Sequence, residues 1–373
     1  MSTTRQYQYD KDGLPILSFL ESASLTWIII RMPFVLLWKA VASNFSKSAK
    51  PTNRVVFEAS SRHVLGNVSI QQLQRISGTS TAAYLAWAKQ ANQQPVIESL
   101  EGGTKLFWMG DKNADFVLLY CHGGGFVGPL CDFQCKFSEI VATEFAKKSN
   151  GATLAVAALD YSLIPHTFPT QLLELSTAIQ HILAQGTSPN HLFLAGESAG
   201  ANIITQLLSH HLHPHPSLPS PTSLSAPITG TLLFSPWCAL EPAGASTHTN
   251  TDKDLVTADT LAMWGRAYRV QLPDSQLPYV DCTTAPRETW YSGVQALTRR
   301  VLVTAGDDEV LRDDVLSLAD MLSAAHEDVR VEVQPGGVHV DMIFDVAAKS
   351  KTLSPVTAMV VDWLVETAGA QKS

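Results

Sequence analysis

The sequence predicts an α/β fold with a mostly parallel central sheet, helices on both faces of the sheet and a helical cap. Short apolar runs of strand length recur after residue 115, and their continuous pattern is typical of strands covered on both faces. Amphipathic helical patterns lie between these runs, and this alternation is typical of a parallel sheet. A chain of 373 residues, 45% of them hydrophobic, can also bury a large core.

The elements follow in chain order. Buried strands are predicted at residues 115–121, 152–161, 191–196, 229–236, 300–306 and 329–336. Residues 170–186 have apolar side chains at three-to-four spacing and end in glycine, which predicts a helix. Residues 210–227, rich in Pro, Ser and His, are predicted to form a solvated surface loop. Residues 239–293 have little strand pattern and are predicted to form an inserted cap.

Residues 1–50 are predicted to contain either a membrane-associated helix or a cap helix. Residues 25–43 are long and apolar enough to suggest a membrane segment. Arg31 would cost about 2.5–3.5 kcal/mol at a bilayer centre, and Pro33 interrupts a helix. Three interpretations stand: a signal anchor, an amphipathic helix on a membrane, and a helix covering the protein's own pocket. Membrane contact would involve residues 16–43, and the predicted location is either membrane-associated, at the endoplasmic reticulum, or cytoplasmic.

Charge and cysteine content exclude several classes of partner. The net charge of −8 and the pI near 5.8 leave no basic surface, so nucleic-acid binding is not expected. Five cysteines are an odd number for a disulfide framework. Cys131 and Cys135 are spaced as C-x3-C, but no cluster of further ligands lies nearby to complete a zinc site. We expect free thiols and no metal.

A nucleophile motif follows one of the predicted strands. Residues 196–200 read Gly-Glu-Ser-Ala-Gly, which fits G-x-S-x-G, and a helical pattern begins directly after them. A sharp strand-to-helix turn with small flanking residues would present the hydroxyl of Ser198 at its tip. The helix N-terminus would favour negative charge developing there. The motif therefore predicts a nucleophilic serine.

A serine nucleophile needs a base and an acid. Where a G-x-S-x-G turn joins a strand to a helix in an α/β fold, the chain order is nucleophile, acid, base, so both partners should follow Ser198. His339 comes after the strand-like run at 329–336 and is the only histidine beyond His326. His326 lies where a helical pattern ends, so we expect it to be a solvated surface residue, and His339 is the predicted base.

The turn after the run at 300–306 offers the acid. Asp307, Asp308 and Glu309 all lie on it, and strand counting alone leaves the three open. Asp313 and Asp314 fall inside the next helical pattern and are predicted to be solvated or capping groups.

From about Val117 onward the chain resembles the hormone-sensitive-lipase-like esterases of the α/β-hydrolase fold. That family includes arylacetamide deacetylases, fungal steryl acetyl hydrolases and bacterial carboxylesterases. The resemblance rests on five features: His-Gly-Gly-Gly-Phe at 122–126, residues 159–169 with His166 where glutamate is usual, the motif at 196–200, Glu-Val-Leu-Arg-Asp-Asp at 309–314, and His339.

The resemblance implies roles for particular residues. In the family an acid followed by x-L-x-D orients the histidine, which puts Glu309 in that position, with Asp308 as second choice. Backbone N–H groups of Gly124, Gly125 and Ala199 would form an oxyanion hole, while His122 would brace the glycine loop. No metal or organic cofactor is implied.

The resemblance also implies a domain plan and an activity. Residues 51–373 would form the α/β-hydrolase domain, with cap contributions from about 51–100 and 239–293. The expected activity is that of a serine carboxylesterase or deacetylase, acting through an acyl-enzyme on a short acyl ester. The substrate would be an acetyl ester of a bulky apolar alcohol such as a sterol, lipid or secondary metabolite.

Several alternatives stay open at this level. The same residues could serve transacylation, amide cleavage or a cyclisation step in natural-product biosynthesis, and a non-catalytic ligand-binding protein is a further reading. Trp237, Trp264 and Tyr268 could line the pocket, although core packing is the expected role of each. The oligomeric state is not predicted.

Overall fold

The central element of the structure is an eight-stranded sheet. A computed structural model describes residues 8–43 and 50–370, so residues 1–7 and 44–49 of the predicted N-terminal segment lie outside the described part. The sheet order is β1-β2-β4-β3-β5-β6-β7-β8. The strands are β1 Val96–Ser99, β2 Lys105–Met109, β3 Phe116–Cys121, β4 Leu154–Asp160, β5 Leu192–Glu197, β6 Gly230–Phe234, β7 Val301–Gly306 and β8 Val329–Gln334.

The strands from β3 onward pair in parallel, as predicted. Six predicted apolar runs correspond to these six strands, each shorter by a residue or more than the run that predicted it or displaced by one residue. β1 and β2, which pair in antiparallel fashion at one edge, had no predicted counterpart in the sequence. β1 is largely exposed and has no continuous apolar run, so its extended shape comes from pairing with β2.

Thirteen α-helices lie within the described residues. They are α1 Phe19–Ser43, α2 Thr52–Leu65, α3 Ile70–Ser77, α4 Ser80–Gln90, α5 Asp132–Lys148, α6 Thr170–Ala184, α7 Ala199–Leu212, α8 Ala245–Thr249, α9 Ala258–Tyr268, α10 Leu277–Val280, α11 Arg312–Ala325, α12 Asp341–Ala347 and α13 Pro355–Gly369.

Helices cover both faces of the sheet, and this confirms the predicted architecture. Side chains of β3 alternate between two apolar clusters, with Leu119 in one and Leu118 in the other. The cluster with Leu119 includes residues of α6, α7 and α11, whereas the cluster with Leu118 includes residues of α4, α5 and α13. Both faces are buried, which explains the continuous apolar character of the strands.

Residues 213–227 form a surface loop, as predicted, but the histidines of the stretch at 210–227 are not solvated as expected. α7 continues to Leu212, and the side chains of His210 and His215 are buried. His210 and His211 place ring nitrogens 3.0 Å from the carbonyl oxygens of Pro219 and Thr222, respectively. These histidines hold the chain that follows α7 against the helix, because they pair with backbone carbonyls that would otherwise lack partners.

α1 packs against the rest of the protein through one side only. Its contacts are with α2 and α3, through a stripe at three-to-four spacing that includes Leu25, Ile28 and Met32. The opposite side is exposed and apolar, with Trp27 at 61%, Phe34 at 72% and Trp38 at 70% exposure. By length and composition Phe19–Val41 could cross a membrane, and only 6% of its most apolar 18-residue window is buried.

A buried cation joins α2 to α12, the helix that follows His339. The guanidinium of Arg54 donates to Asp341 Oδ1 and Asp345 Oδ1, both at 2.7 Å, and to Glu58 Oε1 at 2.9 Å. All four side chains are buried or nearly so, and a charge in such a place requires partners of opposite sign. This network fixes α2 against α12.

We expect Arg54→Met to lower the free energy of unfolding by about 3–5 kcal/mol, because it leaves carboxylates buried without their cation. Urea denaturation followed by circular dichroism measures the change. Arg287→Met is the control, since Arg287 pairs with Asp320 on the surface; that variant should lose about 0–1 kcal/mol. Equal losses in the two variants would contradict a structural role for the Arg54 network.

Candidate active site

The predicted site residues meet at the carboxyl edge of the parallel sheet. Ser198 follows β5, Glu309 lies in the turn after β7, and His339 lies in the turn after β8. The glycine loop follows β3, the strand next to β5. Because parallel strands end at one edge, loops that are distant in sequence converge there.

Ser198 occupies a sharp turn between β5 and α7. Its backbone has φ 51° and ψ −116°, a conformation that L-residues rarely adopt. The turn brings the start of α7 close to β3, where a Cβ on Gly200 would lie 2.0 Å from the carbonyl oxygen of Cys121. Only glycine fits at position 200, so the second glycine of the motif permits strand and helix to pack this closely.

Three buried side chains form a continuous line of hydrogen bonds. Ser198 Oγ is 2.8 Å from His339 Nε2, and His339 Nδ1 is 2.7 Å from Glu309 Oε1. Exposure is 5% for Ser198, 6% for His339 and 0% for Glu309. The geometry fits a hydroxyl, a base and an orienting carboxylate.

The electrostatic surroundings favour a charged imidazole. Burial by itself lowers the pKa of His339, but the charge and hydrogen bond of Glu309 oppose this effect. Asp254 and Glu197 add further negative charge, so the pKa lies above its ordinary value. An imidazolium formed by accepting the proton of Ser198 is therefore stabilised.

Of the three acidic residues on the turn, Glu309 contacts the imidazole. Its second oxygen, Oε2, accepts hydrogen bonds from Ser235 Oγ and from the backbone N–H of Gly306, both at 2.8 Å. Asp308 instead binds Lys253 Nζ at 2.8 Å, and Asp307 pairs with Arg312. The turn thus directs one carboxylate inward and two toward solvent.

Two polar residues, His326 and Asp314, are more buried than predicted. His326 is buried rather than solvated, and its Nε2 lies 2.9 Å from the carbonyl oxygen of Thr298. Asp314 is likewise buried in the first turn of α11, and burial raises its pKa to about 7. Both lie on surfaces packed against other elements, which a linear pattern of polar residues does not reveal.

The glycine loop after β3 has no room for side chains. Gly124 and Gly125 have φ of 118° and 64°, where glycine is favoured. A Cβ on Gly125 would lie 2.2 Å from Trp264 Cε3, and one on Gly124 would lie 2.6 Å from the carbonyl oxygen of Gly128. Within the described residues, no backbone hydrogen bond uses the N–H of Gly124, Gly125 or Ala199. These amides are therefore available to an oxygen of a ligand.

The side chain of His122 supports the glycine loop. Its Nδ1 lies 2.7 Å from the carbonyl oxygen of Gly123, and its ring stacks on Tyr161 at 4.2 Å. The hydroxyl of Tyr161 donates to the carbonyl oxygen of His122 at 2.7 Å. Burial lowers the pKa of His122 to about 4, so the ring is neutral at pH 7.

Sequence reasoning missed Glu197 and Ser235. Glu197, the residue before Ser198, is buried and accepts hydrogen bonds from Tyr120 Oη and Gln134 Nε2. Burial raises its pKa, and it lies where a Cβ on Gly123 would collide with it. Its place at the end of an apolar strand was a signal of burial. Ser235 follows β6 and had no such signal.

A cavity of about 450 Å³ opens over Ser198 and His339. Its wall is mostly apolar and comes from α1 to α3, the glycine loop, the start of α5, residues 255–264, and residues 339–344. Trp264 lines this cavity, whereas Trp237 and Tyr268 are buried in the core as expected. The size and polarity suit an apolar small molecule.

The cysteines and acidic groups do not gather around a metal. Among residues 8–43 and 50–370, no group of three or more His, Cys, Asp or Glu side chains is placed to hold an ion. Cys131 and Cys135 are free thiols, and burial raises the pKa of both.

Comparisons with known proteins agree with this architecture. A sequence profile described as the alpha/beta hydrolase fold matches residues 118–343. The chain belongs to the α/β-hydrolase fold family. An acetyl-hydrolase of Streptomyces hygroscopicus is 28% identical over 227 residues, 60% of this chain and 67% of that protein. A Schizosaccharomyces pombe protein, provisionally named a steryl acetyl hydrolase, is 25% identical over 246 residues, 63% of this chain and 62% of its own length.

One further relative and one solved structure are also similar to this chain. Carboxylesterase NlhH of Mycobacterium tuberculosis is 26% identical over 231 residues, 60% of this chain and 65% of the enzyme. This α/β hydrolase thus spans less than two thirds of the length of two of these three relatives. The solved structure of a hormone-sensitive-lipase homologue from a metagenome library matches 86% of this chain and 97% of its own, with TM-score 0.61 and 20% identity.

The predicted resemblance to hormone-sensitive-lipase-like esterases is therefore confirmed, and so is the α/β-hydrolase fold. At the level of the family, the prediction of a carboxylic ester hydrolase is also confirmed.

We expect Gly125→Ala to lower kcat/KM for an ester by on the order of 10²–10³, the loss typical when one oxyanion donor is displaced. The methyl group would collide with Trp264 and push the loop from its position. Initial rates with p-nitrophenyl acetate measure the effect. Gly186→Ala is the control, because Gly186 also has positive φ but its Cβ would meet no atom within 4 Å; comparable losses in both variants would contradict the steric argument.

Proposed function

We propose that the protein is a serine esterase in which Ser198 is the nucleophile, His339 the base and Glu309 the orienting acid. The observation that carries the proposal is the unbroken line from Ser198 Oγ through the imidazole to Glu309. An unassisted hydroxyl is a weak nucleophile, and this arrangement supplies the base that activates it.

The reaction proceeds in two halves. Ser198 Oγ forms a bond to the ester carbonyl carbon while His339 Nε2 takes the hydroxyl proton. The C–O bond to the alcohol then breaks, the alcohol leaves with that proton, and an acyl-enzyme remains. Water repeats the attack with His339 as base, and the acid is released. Glu309 holds the imidazole in the required tautomer in both halves.

The negative oxygen of each tetrahedral intermediate would bind to backbone amides. Gly124 and Gly125 supply N–H groups from the loop after β3, and Ala199 supplies one from the start of α7. The unused state of these amides supports the assignment, because donors held ready need no reorganisation during the reaction. The dipole of α7 adds to the attraction.

The substrate class we propose is a short acyl ester, above all an acetyl ester, of a bulky apolar alcohol such as a sterol, lipid or secondary metabolite. The apolar wall of the cavity supports the alcohol part. The names of the Streptomyces and Schizosaccharomyces relatives support the acetyl part. The polar groups near the reacting atoms are few, so the cavity recognises the alcohol mainly through its shape and apolar surface.

We expect the wild-type protein to hydrolyse p-nitrophenyl acetate faster than longer p-nitrophenyl esters. Ser198→Ala should abolish both hydrolysis and labelling by a fluorophosphonate. Glu309→Ala should lower kcat by several orders of magnitude, as loss of an orienting acid does. Asp308→Ala is the matched control on the same turn and should retain wild-type rates, because Asp308 binds Lys253.

Each contrary outcome has a distinct meaning. Labelling that persists in Ser198→Ala would contradict the nucleophile assignment. Loss of activity in Asp308→Ala with retention in Glu309→Ala would contradict the acid assignment. Labelling without hydrolysis would point to transacylation, amide cleavage or cyclisation with another acceptor, and absence of labelling would favour a non-catalytic binding protein.

We further propose that residues 51–100 and 239–293 act as a cap on the hydrolase domain and that α1 contacts a membrane. Side chains of α2, α3 and α9 line the cavity above Ser198, which supports the cap. Met32 of α1 also lines it, while the other side of α1 exposes large apolar residues. Such a face fits the boundary between lipid headgroups and acyl chains.

We expect the purified protein to float with phosphatidylcholine vesicles in a density gradient, because burial of the outer face of α1 in lipid is favourable. A triple variant with Trp27, Phe34 and Trp38 replaced by serine should remain in the soluble fraction and keep its activity on p-nitrophenyl acetate. Val270→Ser is the control, since Val270 is equally exposed elsewhere. Flotation by the triple variant would contradict the proposal.

A further inference from the structure

A short turn outside the sheet touches both partners of the proposed nucleophile. Residues 250–254 precede α9 and belong to the stretch assigned to the cap. Two of their side chains are turned inward, Asn250 with 1% exposure and Asp254 with 0%. A buried carboxylate is costly unless hydrogen bonds satisfy it, so the partners of Asp254 indicate its role.

Asp254 binds the backbone beside the base and beside the acid. Its Oδ1 accepts the N–H of His339 at 2.9 Å and that of Leu255 at 2.7 Å. Its Oδ2 accepts the N–H of Val310, the residue after Glu309, at 2.8 Å. One rigid side chain therefore spans the loops that carry the acid and the base.

Asn250 holds the acid loop through its carbonyls. Its Nδ2 donates to the carbonyl oxygen of Glu309 at 2.9 Å and to that of Asp307 at 3.0 Å. The N–H of Val310 also donates to Asp254, so the turn holds the backbone on both sides of Glu309. This fixes the direction in which the Glu309 side chain leaves the turn.

The turn is anchored to the N-terminal helices. Arg62 of α2 donates to the carbonyl oxygens of Asp252 and Asp254. The backbone of the turn is closed on itself, since the N–H groups of Lys253 and Asp254 donate to the carbonyl oxygen of Asn250. The turn cannot shift without breaking contacts to three separate parts of the chain.

We propose that Asp254 and Asn250 are positioning residues, which set the distance and orientation of Glu309 and His339 by binding the backbone of their loops. The inference rests on the proposed function, since it concerns the same nucleophile. The cap then does more than cover the cavity, because it carries the part that aligns acid and base.

Charge gives Asp254 a second effect. The charged or titratable groups close to its carboxylate or its loop are Glu309, His339, Arg62 with its neighbour Glu58, the exposed Asp252 of the same turn, and the pair of Lys253 with Asp308. Burial, together with the negative charge of Glu309, raises the pKa of Asp254 to about 6, although the positive charge of His339 and the two backbone hydrogen bonds oppose this shift. At pH 7 and above the carboxylate is mainly ionised and favours the imidazolium of His339.

The test uses Asp254→Asn in the full-length protein. The carboxamide presents an NH2 group to a backbone N–H, so at least one hydrogen bond is lost, and the negative charge disappears. We expect kcat for p-nitrophenyl acetate to fall by about 10- to 100-fold with KM nearly unchanged, as small misplacements of catalytic groups do. Amide exchange at Val310 and His339 should accelerate.

The pH profile separates alignment from mere stability. Activity requires neutral imidazole, so kcat rises with pH through the pKa of His339. Removing the charge of Asp254 lowers that pKa, and the acidic limb should move to lower pH. Asn250→Ala removes no charge, so it should lower kcat without moving the limb. Asp308→Asn is the control and should alter neither kcat nor the limb.

Several results would overturn the inference. They are wild-type kcat in Asp254→Asn, an acidic limb that stays in place, or a loss of kcat matched by the fraction of unfolded protein in circular dichroism. If Asp254→Asn does not fold, Asn250→Ala decides, and wild-type kcat in that variant refutes the proposal. A wild-type protein that neither hydrolyses esters nor reacts with fluorophosphonate would instead refute the proposed function, whereas unchanged amide exchange in Asp254→Asn would refute the positioning role alone.

Discussion

The buried contact between Glu309 and His339 imposes the main constraint on this structure. A carboxylate with no exposed surface and an imidazole nearly as buried are stable only if every polar atom finds a partner. The partners come from Ser235, from the backbone of Gly306, and from the turn at residues 250–254. The loops around the site are therefore held by hydrogen bonds that the pair itself makes necessary.

Close packing at the carboxyl edge is the second requirement. The turn at Ser198 and the glycine loop come within contact distance because Gly200 leaves space for the backbone of β3. Glu197 fills the space beside Gly123. Strain at Ser198 is maintained by this packing. The glycines of the loop line the cavity, which connects the packing of the sheet with the proposed binding of an oxyanion.

Sequence patterns predicted those elements whose local residue pattern matches their burial in the folded chain. Continuous apolar runs predicted β3 to β7 because both faces of those strands are buried, whereas β8 is a partly exposed edge strand, although it was predicted to be buried. They did not predict β1, whose extended shape depends on β2. Nor did they predict the burial of His210 and His326, whose ring nitrogens lie beside the backbone carbonyl oxygens of Pro219 and Thr298. Asn250 and Asp254 carried no signal, since their partners on the loops of Glu309 and His339 lie more than 50 residues away along the chain.

By itself the sequence determined the α/β class, the family and the short set of candidates for nucleophile, base and acid. It did so because strand periodicity and the two glycine motifs are local properties of the chain. Only the tertiary structure decided which carboxylate of Asp307, Asp308 and Glu309 faces the imidazole, and which surface of α1 stays exposed. Both depend on how separate segments pack, and that packing is set by contacts between residues far apart in the sequence.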